Sequence, residues 1–125
     1  MTTQYILDEL KRPVPVPMSD MTAWGEWMAD FENHRRVAQD EVGAFRVSTV
    51  FLGIDHGFGR SDRPVLFETM VFGPADDADL ECVRYCTWQE AEIGHAEMLR
   101  KVKGWPQPKP PLDGLDRTSD DYGTW

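Results

Sequence analysis

Two stretches of the chain are apolar on both parities of a period-two pattern. In FRVSTVFLGI (45–54), Val47, Thr49 and Phe51 alternate with Val50, Leu52 and Ile54. In VLFETMVFG (65–73), Val65, Phe67 and Val71 oppose Leu66, Met70 and Phe72. Runs rich in β-branched and aromatic residues with this rhythm predict strands. A strand apolar on both faces must be covered on both. Residues 36–55 divide into two strands at Val42-Gly43-Ala44, and CVRYC (82–86) reads as a fourth strand after an acidic loop at 74–81. Gly57, Gly59 and Pro64 make 56–64 a loop. Near the start, TQYIL (3–7) can add an edge strand, while RPVPVP (12–17) reads as an extended linker, because alternating prolines exclude a helix.

The rhythm changes to helical spacing twice. Met21, Trp24, Trp27, Met28 and Phe31 form one stripe, preceded by an N-cap at Ser19 or Asp20 and ending near Asn33-His34. Thr87-Trp88-Gln89-Glu90 fits a capping box. It opens a second helix whose stripe is Trp88, Ala91, His95, Met98, Leu99 and Val102, with Lys101 and Lys103 in the last turn and Gly104 as the stop. The expected fold is α+β: a mainly antiparallel four-stranded meander sheet with one helix before it and one after it. A single domain spans 1–103, and 104–125, with Pro106, Pro108, Pro110 and Pro111, is a Pro-rich, partly disordered tail whose start lies against the body.

Charge narrows the partners. The chain has 125 residues and a formal net charge of −9. That disfavours binding to a nucleic-acid backbone or to an anionic membrane surface. It suits a solvated surface, a basic partner, or imitation of a nucleic acid. No basic-then-apolar leader opens the chain, and no apolar run approaches the roughly 18 residues of a membrane span. A cytosolic location is expected, with Cys82 and Cys86 reduced: on one strand they would stand about 13 Å apart, too far for a disulfide. Five Trp and six Met are a heavy apolar load for so short a chain, which raises the prospect of a homodimer or a larger self-assembly. Core packing is the simpler account of the aromatics. As a surface, Trp24, Trp27, Phe58, Trp88 and Trp105 would be the ones a partner meets.

Four polar residues stand out as candidate chemistry. Asp55-His56 ends a strand, Glu68 interrupts an apolar strand, and His95 lies in the apolar stripe of the second helix. If that helix packs on the face bearing Glu68, then Asp55, His56, Glu68 and His95 converge. Two carboxylates and two imidazoles suit a divalent metal or general acid–base work, but no known ligand spacing is present. The simpler account is a Glu68–His95 hydrogen bond fixing helix to sheet, His95 as a satisfied interior histidine, and Asp55 capping a turn. No catalytic residue and no cofactor is assigned.

The stretches RVSTVFLGIDHGFG (46–59), PVLFETMVFG (64–73) and RYCTWQEAEIGH (84–95) resemble a family of small uncharacterised bacteriophage and prophage proteins. The resemblance implies a phage origin and expression in the cytoplasm of a host bacterium, and implies no activity. The leading expectation is a non-enzymatic accessory protein that binds a host macromolecule, in host takeover or counter-defence. The alternatives are a protein that sequesters a nucleotide or other small ligand at an oligomer interface, and a metal-assisted hydrolase using the four polar residues.

Overall fold

A computed structural model describes residues 3–57, 62–74 and 79–107. Strands β1 (Gln4–Leu7) and β2 (Pro13–Val16) form an antiparallel hairpin, and α1 (Met21–Ala29) follows. The four-stranded sheet is β3 (Arg36–Val42), β4 (Phe45–Phe51), β5 (Phe67–Phe72) and β6 (Asp79–Tyr85), and α2 (Trp88–Lys103) comes last. The sheet order is β3-β4-β5-β6 with every neighbour antiparallel, a meander. The α+β class and the helix on either side of the sheet are as the sequence predicts.

The first 35 residues differ from expectation in two ways. RPVPVP is not a free linker: Pro13–Val16 pairs with Gln4–Leu7. A two-stranded ribbon tolerates Pro because its outer edge needs no N–H donors. The first helix also ends early, at Ala29. Asp30 leaves the helical region (φ −87°, ψ 75°) and its carboxylate accepts from the Asn33 N–H, opening a π-helical turn over Phe31–Arg35. The Met/Trp stripe is therefore cut short, and none of the α1 residues is fully buried. The hairpin is tied to the sheet end by a Tyr5 N–H to Gly53 carbonyl bond of 2.8 Å, and the Trp24 indole N–H donates to the Tyr5 carbonyl at 3.0 Å. Gly53 has φ +79°, a left-handed conformation that favours glycine, and the end of the Met28 side chain of α1 packs over it.

Helix α2 forms because its start is strongly capped. The Thr87 hydroxyl accepts from the Glu90 N–H at 3.0 Å, and the Glu90 carboxylate accepts from the N–H groups of Thr87 at 3.2 Å and Cys86 at 3.0 Å. Its buried face is Ala91, Gly94, His95, Met98 and Val102. This face covers the odd-numbered side of the central strands, where Phe45, Val47, Thr49 and Phe51 of β4 lie beside Phe67, Thr69 and Val71 of β5. The core divides in two. One cluster gathers Leu7, Phe51, Leu66, Phe67 and Ala91; the other gathers Phe45, Val47, Val71, Met98 and Val102. Past the helix, Trp105 packs edge-on against Phe45 and the Gln107 side chain accepts from the Ala44 N–H at 2.8 Å.

Candidate functional site

Between the two apolar clusters runs a row of hydrogen-bonded side chains, one from each strand and one from the helix. Asp40 on β3 meets His95 on α2, with Oδ2 and Nε2 2.8 Å apart. His95 Nδ1 lies 2.7 Å from Thr49 Oγ1 on β4. The Thr49 hydroxyl contacts that of Thr69 on β5, and the Tyr85 hydroxyl on β6 donates to Thr69 at 3.1 Å. Thr49 and Thr69 are wholly buried and His95 nearly so. Register places them: Thr49 and Thr69 are direct partners across β4 and β5.

The proton order of the row follows from its ends. A carboxylate only accepts, so His95 Nε2 carries a hydrogen toward Asp40. In a neutral imidazole Nδ1 is then the acceptor, and Thr49 donates to it. Thr69 in turn donates to Thr49, and Tyr85 to Thr69. Every hydroxyl is satisfied with one polarity, which is what a buried polar row requires. Burial pushes the Tyr85 phenol above its usual pKa; the bond to Thr69 opposes this and the charge of Glu97 adds to it. Tyr85 therefore keeps its proton near neutrality.

Thr49, His95 and Asp40 have the composition of a hydrolytic triad, but not its access. A nucleophile must reach substrate, and Thr49 is enclosed by sheet and helix. In this conformation the row positions α2 and Tyr85.

The four sequence candidates do not converge. Glu68 pairs across β4 with Val50, on the parity opposite to Thr69, and so faces away from α2. Its carboxylate accepts from Arg84 Nε at 3.0 Å and from the Cys82 thiol at 3.2 Å. The expected Glu68–His95 bond is thus replaced by two separate pairings on opposite faces of the sheet. Asp55 caps a turn, accepting from the N–H groups of Gly57 at 2.7 Å and Val65 at 2.8 Å. His56 Nδ1 donates to the Ile54 carbonyl at 2.9 Å. Among the described residues no three His, Cys, Asp or Glu side chains are grouped to hold a metal ion.

The candidate aromatics are engaged in packing. Trp27 stacks on His34 with centroids 4.5 Å apart and meets Phe51 edge-on. Trp88 meets Phe67 edge-on and carries Lys11 Nζ over its ring at 5.0 Å. Trp24 and Trp105 are held as described above. Phe58 lies outside the described residues.

Tyr85 ends the row at the margin of the sheet, and there the surface opens. A cleft of about 400 Å³ runs between β6 and α2, continuing into a smaller one of about 180 Å³. Tyr85, Gly94 and Glu97 line both. Ion pairs mark the two ends: Arg63 to Glu90 at 3.1 Å near the start of α2, and Lys101 to Glu81 at 2.8 Å near its end. Between them lies Glu97, which has no ion-pair partner among the described residues. Ile93 and Val83 are exposed along the same margin, at 62% and 38%.

Sequence reasoning missed Asp40, Thr49, Thr69, Tyr85 and Glu97. Thr49 and Thr69 carried a signal, since each is a hydroxyl at the centre of an otherwise apolar strand face. Comparison with known proteins returns no match: no family model, no curated protein and no solved structure.

Proposed function

We propose that this is a phage-encoded accessory protein that acts in a host bacterium by binding a host protein, and that the partner docks as an extended segment along β6. The observation that carries this reading is the edge strand itself. β6 is the last strand of the meander, it borders an open cleft beneath α2, and apolar side chains at Val83 and Ile93 stand on that margin. An unpaired strand edge presents backbone donors and acceptors to an incoming strand, while a flanking cleft takes every second side chain. The resemblance to phage proteins supports the setting. No helix among the described residues is long and apolar enough to cross a membrane, which fits a partner met away from the bilayer. The small-ligand alternative is less well supported, because Trp24, Trp27, Trp88 and Trp105 are only partly exposed and already contact neighbouring groups.

The test compares the protein with its Val83→Asp/Ile93→Asp variant as bait in bacterial lysate, with amide exchange read on the captured complex. A partner held by the parent, lost by the variant and slowing exchange across 79–85 supports the reading. Capture indifferent to the variant, or protection elsewhere, overturns it.

A further inference from the structure

The row of hydroxyls fixes what Tyr85 can offer the cleft. Its one hydrogen is committed inward to Thr69, so toward a ligand the phenol oxygen presents lone pairs only. Glu97, lining the same two clefts, likewise only accepts. The cations that line these clefts are already paired, Arg63 with Glu90, Arg84 with Glu68 and Lys101 with Glu81. Between those pairs the cleft holds a niche at Tyr85 and Glu97, the lining carboxylate with no ion-pair partner among the described residues, on a chain of net charge −9. Its floor is smooth: Gly94 has no side chain, and the Tyr85 ring lies against it.

We infer that this niche receives a lysine or arginine side chain of the docked segment, donating to Tyr85 Oη and Glu97, so that the partner is a basic extended peptide. The inference rests on docking along β6 and adds the chemistry of its specificity. An apolar side chain there would bury Glu97 without a partner, and an acidic one would oppose it, so the niche discriminates by repulsion as well as attraction. The net charge of the chain would also speed encounter with a basic partner.

Selection of short random peptides displayed on messenger RNA against the immobilised full chain tests this. The selected peptides are then measured against the parent, Glu97→Gln and, as a control on the same helix, Glu92→Gln. The expected result is peptides that slow amide exchange in 79–85, share a Lys or Arg, and bind Glu97→Gln about tenfold more weakly with Glu92→Gln unchanged. Peptides that protect 79–85 but share no basic residue, or ignore Glu97→Gln, overturn the inference and leave strand docking standing. A selection that yields no peptide protecting 79–85 overturns both. Glu97 is exposed, so its substitution leaves folding intact, which circular dichroism checks.

Discussion

The ring of Tyr85 occupies the space that a side chain at position 94 would fill: a Cβ on Gly94 would lie 2.2 Å from Cε1, Cζ and Oη of that ring. Two effects oppose each other in Gly94→Ala. Alanine favours the helix by about 1 kcal/mol. It also expels the ring and with it the bond to Thr69, which costs about 1–3 kcal/mol. The second should win, so Gly94→Ala should be less stable than the parent in urea. In a Tyr85→Ala background the sign should reverse, and the same substitution should stabilise by about 1 kcal/mol. Gain in both backgrounds would refute the contact.

Members of the buried row should differ in cost according to their access to water. Thr49→Val leaves His95 Nδ1 without a donor and Thr69 without an acceptor inside the core, and is expected to lose about 2–3 kcal/mol. Asp40 is half exposed, at 52% for its side chain, and water can take its place. Asp40→Ala should therefore cost about 1 kcal/mol or less. Equilibrium unfolding of the two variants checks the order; a larger loss for Asp40→Ala would refute it.

On the other face, Glu68 is 9% exposed and depends on Arg84. Arg84→Ala strands a carboxylate, whereas Glu68→Met removes it and keeps the volume. Arg84→Ala is expected to be the more damaging, and Glu68→Met close to neutral, within about 1 kcal/mol. Thermal unfolding would decide, and equal losses would mean that the pair is not screened from water.

The Glu90 carboxyl is held below the usual glutamate range, first by the Cys86 N–H and then by Arg63. A carboxyl depressed on folding stabilises above its unfolded pKa and loses that contribution as pH falls through the folded value. Glu90→Gln should therefore be less stable than the parent at neutral pH, and the gap should close as acid is added below the usual glutamate range. Urea titrations at several pH values give the comparison. A gap that widened in acid would contradict the assigned bonds.

Much of this architecture was legible because its signals are local. The Thr87–Glu90 box and the stripe from Trp88 to Val102 name α2 without any tertiary knowledge, and the alternation in 45–54 and 65–73 names the central hairpin. The candidate site was not legible for one physical reason. β5 carries polar residues on adjacent positions, Glu68 and Thr69, and apolar neighbours on both parities, so nothing within the strand says which parity meets the helix. Choosing Glu68 put the wrong residue opposite His95. Asp40 was invisible for another reason: it is one of 22 acidic residues, and only the packing of α2 over β3 distinguishes it. The hairpin at 4–16 was obscured because its second strand is half proline, which reads as linker unless a partner strand is known.

Thr49 and Thr69 stand opposite each other and share the helix-facing side with His95. If β4 slid by one residue against β5, every side chain would change face. The two hydroxyls would part, and Arg46, Ser48 and Val50 would turn under α2. His95 Nδ1 would then lose the Thr49 hydroxyl that stands 2.7 Å from it in this register. The row thus serves as an alignment mark for the central hairpin: only one of the closely spaced pairings lets the helix close over the sheet, and mispaired chains are left with their apolar side open.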